Sequence, residues 1–427
     1  MLDIQKKFTQ SFFVLLSLPA TAMGFALCIQ ISALSWILST QYKLDIHEVG
    51  IVWAAGPLAG IVGQVLIGII SDKVWFWGGR RRPFILIGGT LAALALLALP
   101  NLGVISSASG ISIFFIAIMI ATTLDIAINI SFNPTRSIIA DVTPEGEQRT
   151  KGYTWMQTIS GMFGVLAYVI GAFLGNYNLI YLGIFLVLFF SLLPPFFIKE
   201  PEQLNESFTP DQINAPKITV SYNQLYRIYF AHAFCWLGVQ TMFVYIYAFI
   251  KNEMVPMSDE GVGQVIAIAF AVLNTVGFIL PALILEPLAK KNGRVKVHAL
   301  CMGVMALGYG AILFLGTTPM LLYIFMGVVG IGWAATVSLP FAIMTEKVDK
   351  TKMGLFMGIF NLSIVIPQLI VSFGFGSIIQ AAENKNVIFI ISGISLAISA
   401  ILWTFVQEHA VKKTDARDHY PEFSKTH

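Results

Sequence analysis

Asp125 stands in the segment TTLDIAINISFNPTR, residues 122–136, directly after the almost wholly apolar stretch 111–121. An ionised Asp at the centre of a lipid-spanning helix costs about 2.5–3.5 kcal/mol on insertion scales. A carboxyl there is neutral when its surroundings are dry, so it can take up and give back a proton as they alternate between dry and wet. The alternative is a protonated acid that serves only as a polar contact between helices. Asn129 follows four residues later on the same helical face, so the two side chains could meet one ligand or one water. Arg136 comes eleven residues after Asp125, about 16 Å away along an ideal helix, with Pro134 able to bend that geometry. Such a distance excludes a direct ion pair. Arg136 would instead serve Asp141, a loop acid such as Asp72, or the mouth of a pathway, or simply mark the end of a span.

The other apolar segments carry amides and aromatic rings of the kind that sugar recognition needs. Hydroxyls want partners that both donate and accept, and a pyranose face wants a flat apolar ring. Gln30 and Trp36 lie in the first segment, Gln64 in the second and Gln157 near the start of the fifth. His232, Trp236 and Gln240 recur every four residues and form one polar-aromatic stripe. Asn274 lies in the eighth segment, and Asn361 and Gln368, seven apart, share a face of the eleventh. Each amide taken singly fits helix packing as well as ligand contact, and His232 reads as a packing residue. Cys28, Cys235 and Cys301 lie inside apolar runs with no metal or disulfide spacing, and read as core filling.

The elements that position these groups follow from composition. Of 427 residues 56% are hydrophobic and only 11% charged, which is less than half the charged share of an ordinary soluble domain. The apolar runs repeatedly reach the roughly 20 residues that cross a hydrocarbon core as helix. The expected spans are 12–40, 47–70, 83–101, 110–134, 153–175, 179–198, 223–250, 261–286, 297–316, 319–344, 354–380 and 387–407. The N-terminal apolar run is too long for a signal peptide, so it stays as the first span. The polar stretch 199–221 divides six spans from six, giving halves 1–198 and 222–407, a linker 199–221 and a tail 408–427. With the N-terminus inside, only Lys43, Lys251 and Lys385 fall in outer loops, so both termini are expected in the cytoplasm of a multi-pass inner-membrane protein. The small excess of basic charge reports this topology and not nucleic-acid binding.

The halves echo each other. GIISDKVWFWGGRRRPF (68–84) follows span two, and EPLAKKNGRVKV (286–297) follows span eight, each with acid, base and Gly-Arg in a short inner loop. Two similar six-helix halves are the mark of an all-α major facilitator fold with twelve spans. The first loop resembles that superfamily's acid, glycine and basic-cluster motif through Gly68, Asp72, Lys73, Gly79, Arg80 and Arg81, which implies a gating role for Asp72, Arg80 and Arg81; Arg136, three turns from Asp125, is a further gating candidate. No H-E-x-x-H, G-x-S-x-G or phosphate loop is present, so an enzyme or a nucleotide-driven pump is not expected.

GFALCIQISAL, WAAGPLAGIVGQVLIGIISDK, GGRRRPFI, LDIAINISFNPTRSIIAD, SLPFAI and NLSIVIPQLIVS are spread over both halves. Through them the chain resembles the plant sucrose-proton symporters and their bacterial relatives in the glycoside-pentoside-hexuronide cation symporter group. That resemblance implies a proton site at Asp125 and an essential arginine at Arg136. The plant proteins carry charges in spans seven and eight, whereas CWLGVQTMFVYIYAF and VIAIAFAVLNTVGFIL carry none, so a bacterial transporter of maltose or a similar glucoside fits as well as one of sucrose. The expectation is proton-coupled disaccharide uptake by a monomer without cofactor or metal. Gln30, Gln64, Asn129, Gln157, Trp236, Gln240, Asn274, Asn361 and Gln368 are the candidate sugar contacts. Sodium coupling through Asp125 and Asn129, or uncoupled facilitation, is the alternative.

Overall fold

The computed structural model describes residues 5, 7–60, 67, 70–71, 74–144, 147–201, 222–345, 347–348 and 353–408. Its regular elements are helices, apart from a single bridge between Phe76 and Gly79. The first half contains α1 (Gln10–Thr40), α2 (Ile46–Trp53, resuming over 55–60), α3 (Arg82–Ala98, carried through the turn Leu99–Asn101 to Ser109), α4 (Ile113–Val142), α5 (Glu147–Leu174) and α6 (Asn176–Phe197). The second contains α7 (Tyr222–Glu253), α8 (Asp259–Leu280, continued through the wide turn Pro281–Leu285 to Asn292) and α9 (Arg294–Leu315). It is completed by α10 (Pro319–Thr345), α11 (Met353–Ile370, continued through Val371–Phe375 to Ala381) and α12 (Val387–Thr404). Eleven of these are long and apolar enough to cross a bilayer by themselves. The remaining span, α2, is described only in part, and Gln64, Asp72, linker residues 202–221 and tail residues 409–427 lie outside the described residues.

Backbone in hydrocarbon must satisfy its own hydrogen bonds, which dictates helices, and the chain marks their ends with polar caps. Thr9 accepts from Phe12 N, Asp45 and Glu48 form a reciprocal capping box, and Ser258 accepts from Gly261 N. Two expected spans run longer than their apolar patterns suggested. Pro134 does not end α4, which continues to Val142, because a proline inside a span gives up only one backbone bond that its surroundings can replace. Pro100 opens a tight turn where its missing N–H is not needed, so α3 reaches Ser109.

Within each half the helices approach through small residues. A methyl on Gly88 of α3 would come within 2.6 Å of the Ala127 carbonyl of α4. In the second half Ser392 and Ser399 of α12 donate to the carbonyls of Gly238 (2.9 Å) and Ala231 (2.7 Å) on α7. These hydroxyls and glycines supply what the hydrophobic effect cannot between helices already solvated by lipid.

The end at which the chain enters and leaves the bundle, the terminal end, shows the internal repeat in detail. Ile198-Lys199-Glu200 follows α6 and Val406-Gln407-Glu408 follows α12. Glu200 accepts from the amides of Arg80 (2.8 Å), Arg81 (2.8 Å) and Arg82 (2.7 Å), where α3 begins. Glu408 accepts from the amides of Arg294 (2.8 Å) and Val295 (3.0 Å), where α9 begins. The preceding residues match as well, since Lys199 N bonds Gln5 Oε1 at 3.1 Å and Gln407 N bonds Gln224 Oε1 at 2.8 Å. In both halves a carboxylate after the sixth helix therefore sits on the positive end of the third. Nearby, Lys347 donates to the Gln407 carbonyl at 2.6 Å, and burial holds its ammonium below the ordinary lysine value.

Replacing Glu200 or Glu408 by Ala is expected to cost about 1–2 kcal/mol each, as loss of a helix cap does. Thermal unfolding of the purified protein in detergent should show two similar downward shifts; no shift for either would refute the capping role.

Candidate functional site

Counting residues from the far ends of the helices puts four of the expected polar groups in one layer, with two rings beside them. Gln30 lies 10 residues before Thr40, Asp125 12 after Ile113, Gln240 13 before Glu253 and Gln368 13 before Ala381. Phe270 lies 11 after Asp259 and Trp333 14 after Pro319. At 1.5 Å per residue these positions are roughly 15–21 Å deep, near the middle of the bundle.

The first half contributes the acid. Asp125 is 5% exposed, and its Oδ2 accepts from Gln30 Nε2 of α1 at 3.0 Å. Gly56 of α2 forms the other wall, since a methyl there would approach Asp125 Oδ1 to 3.3 Å. Among the described residues no cation pairs with this carboxylate. Asn129 is buried, and its side chain turns back to the Asp125 main-chain carbonyl at 2.8 Å, not toward the carboxylate. An ionised carboxylate with one amide partner among carbons is costly, so the geometry suits the neutral acid.

The second half contributes rings and amides. Gln368 of α11 donates to Gln240 of α7 at 3.1 Å. The Trp236 indole donates to His232 Nε2 at 3.0 Å, and the His232 ring stacks on Phe360. Trp236 meets Trp333 of α10 edge-on at 6.0 Å, and Trp333 and Phe270 both pack on Phe243. Asn274 is half-buried and donates to the Phe270 carbonyl at 2.9 Å, while Asn361 is half-buried on α11 and Gln157 is exposed on α5. Sequence reasoning missed Trp333, Phe243, Phe270 and Gly56. The one available signal was Gly56 inside WAAGPLAG, because single aromatics in greasy helices do not announce which face they take.

The halves meet along two seams that close the far end. On one, α5 and α8 run antiparallel: Gly161 faces Phe278, Tyr168 stacks on Phe270, and Gly171 faces Ala267. Higher up, a methyl on Gly263 would come within 2.7 Å of Asn176 Nδ2 and 2.9 Å of Trp36 Nε1. Trp36 donates to the Asp259 carbonyl at 2.6 Å, and Ser35 donates to the Val244 carbonyl at 3.1 Å. On the second seam α2 meets α11, where His47 N donates to Gln380 Oε1 at 3.0 Å and Gly50 sits against Tyr245 and Ser372. Trp36, expected among sugar-binding rings, belongs to this closure.

The contacts named at the terminal end, by contrast, run within one half. Arg81 is buried; its Nε bonds Asp141 at 2.9 Å and its Nη1 bonds Ser71 at 2.8 Å, tying together α2, α3 and α4. Asp141, offered above as a partner for Arg136, is thus held by Arg81. Arg136 is exposed, with its guanidinium 4.1 Å from the centre of the Phe132 ring one turn earlier. Arg80 meets Glu200 through its main-chain amide.

A family model described as the Major Facilitator Superfamily matches residues 16–372. The chain is 26% identical over 422 residues to Sucrose transport protein SUT2 of Oryza sativa subsp. japonica, covering 81% of this chain and 83% of that one. It is 24% identical over 439 residues to Sucrose transport protein SUC4 of Arabidopsis thaliana, covering 85% and 83%. A shorter match, 34% identical over 128 residues, joins it to the General alpha-glucoside permease of Schizosaccharomyces pombe, covering 28% of this chain and 23% of that one. Among solved structures, the nucleoside transporter NupG superposes with a TM-score of 0.68 at 15% identity, covering 93% of this chain and 100% of that one. The inward-open xylose transporter XylE of E. coli gives 0.71 at 14% identity, covering 94% and 97%. These structures establish the fold.

Overpacking at Gly263 is worth ~1–3 kcal/mol against the closed seam, a shift of about 5- to 150-fold in the balance of states. Gly263→Val should therefore expose a Ser35→Cys thiol to a membrane-impermeant reagent added on the far side. If that thiol stays as protected as in the Gly263 protein, the seam is not the closure described.

Proposed function

The chain belongs to the Major Facilitator Superfamily, and on that footing we propose that it is a proton-coupled importer of a disaccharide or glucoside, working by alternating access. The observation that carries the reading is Asp125: a mid-depth carboxyl with a neutral amide partner and, among the described residues, no paired cation. The relatives named for sucrose and alpha-glucoside support a sugar as cargo. We take 1–198 and 222–407 as the rocking units joined by 199–221, with 408–427 as a tail, both termini cytoplasmic and the monomer as the working unit.

The division of labour follows from the two halves. In the first, Asp125 takes a proton while its site faces outside, and in the neutral state accepts the Gln30 amide at little cost. In the second, Gln240 and Gln368 offer donors and acceptors to sugar hydroxyls while Trp236 and Trp333 offer ring faces. Closure of the far end over the loaded site gives the conformation described here, and opening at the terminal end lets sugar and proton leave to the cytoplasm. One proton moving through 100 mV supplies about 2.3 kcal/mol, which is enough for roughly fiftyfold accumulation.

Sodium coupling is less well supported. A sodium ion needs several oxygens, yet Gln30 presents an N–H to the carboxylate and the Asn129 side chain turns to the Asp125 main-chain carbonyl, away from the carboxylate.

Asp125→Asn should abolish uphill uptake and its pH dependence while sugar exchange persists in vesicles. Proton-driven accumulation that survives this change, or sugar-induced sodium uptake without alkalinisation of the medium, would overturn the assignment. Gln240→Ala should do the reverse, raising KM for uptake about tenfold, the cost of one lost hydrogen bond to a polar substrate, with the pH profile retained. A KM unchanged with every disaccharide transported would remove Gln240 from the sugar site.

A further inference from the structure

The loop between α2 and α3 carries a feature that transport by the two halves does not use. In VWFWGGRR (74–81) Phe76 and Gly79 exchange backbone hydrogen bonds, which closes a tight hairpin. Phe76 tucks inward against Phe84, but Trp77 at the tip is 64% exposed and Trp75 39%. Two indoles held out of the protein are unusual unless something other than bulk water surrounds them.

What surrounds them follows from the neighbouring helix. On α6, Phe185, Phe189 and Phe196 share one face, and Phe185 and Phe196 are 61% and 66% exposed. In a bundle with these spans that face meets lipid. The stripe ends at the hairpin, where the Arg82 guanidinium stands 5.3 Å over the Phe196 ring. Arg82 forms no ion pair among the described residues, and its Nε has no hydrogen-bond partner there. Its main-chain amide is fixed by Glu200, so the cation is held at the border between the lipid-facing stripe and the hairpin. Indoles prefer the headgroup level of a bilayer, and a cation there attracts anionic lipid.

We propose that the 74–82 hairpin is an interfacial anchor that docks into the lipid headgroup layer at the terminal end and holds an anionic phospholipid headgroup at Arg82. Trp75 and Trp77 supply the insertion, Arg82 the charge, and Phe196 the apolar floor for the upper acyl chain. The anchor borders the start of α3 and the Arg81–Asp141 pair, so it steadies the first half against the membrane.

The full-length protein is reconstituted in phosphatidylcholine vesicles with and without phosphatidylglycerol, after Cys28, Cys235 and Cys301 are replaced by Ala and a bimane is attached at Trp77→Cys. The expected result is quenching by brominated lipids and protection from aqueous iodide. In a second measurement with only the native tryptophans, phosphatidylglycerol should be retained about fivefold less well by Arg82→Gln, the ~1 kcal/mol that one cation contributes at an anionic surface. Lys296→Gln, removing an exposed cation at the same end of the other half, should leave retention unchanged. A bimane open to iodide and blind to brominated lipid means an aqueous loop or one covered by a soluble partner, and overturns the proposal. So does equal lipid retention by Arg82→Gln and the unmodified protein.

Discussion

A carboxyl group at the depth of Asp125 has two stable arrangements, ionised in water or neutral in a dry pocket, and on the proposed function the bundle is organised around that choice. Gln30 gives it one amide and Gly56 leaves room for its oxygens and nothing larger. Both of these contacts come from helices of the first half. On the proposed function the acid then changes its proton without disturbing the rings and amides that the second half holds at the same level. On that reading what links the two events is the seam between the halves, which passes through Tyr168 and Phe270 directly beside that layer.

The seam works because it is made of small residues. Gly161 and Gly171 let α5 and α8 come together over a long face, Gly263 lets α8 approach Trp36 of α1 and Asn176 of α6, and Gly50 does the same for α2 and α11. Close approach gives many weak contacts and few strong ones, and such an interface is readily made and broken. The strong contacts lie elsewhere. The buried Arg81–Asp141 pair and the Glu200 and Glu408 caps each tie helices within one half, as the proposed rocking units require. Rigid halves and a weak seam are what rocking about a central site requires.

Much of this was legible in the residues. Apolar runs of span length and one polar stretch give the two helical halves, and a mid-span acid gives Asp125. The echo between the two inner loops was visible, yet the closer echo between Ile198-Lys199-Glu200 and Val406-Gln407-Glu408 was not. Its meaning lies in amides more than a hundred residues away. Asn129 shows the limit from the other side: spacing put it on the face of Asp125, but an amide one turn on can satisfy the helix backbone itself, and here it does.

Sequence alone determined what hydrophobicity and charge dictate locally: the solvent, the helices, the number of halves and the residue types able to carry a proton or stack on a sugar. Tertiary structure decided which of them meet. It joined Gln30 to Asp125 and Gln240 to Gln368, assigned Asp141 to Arg81, and set the Trp36 indole on the Asp259 carbonyl in the closure of the far end. Those outcomes depend on helix rotation and on which glycines permit contact, and a periodic apolar pattern hardly encodes either, because in lipid every face of a helix can be greasy.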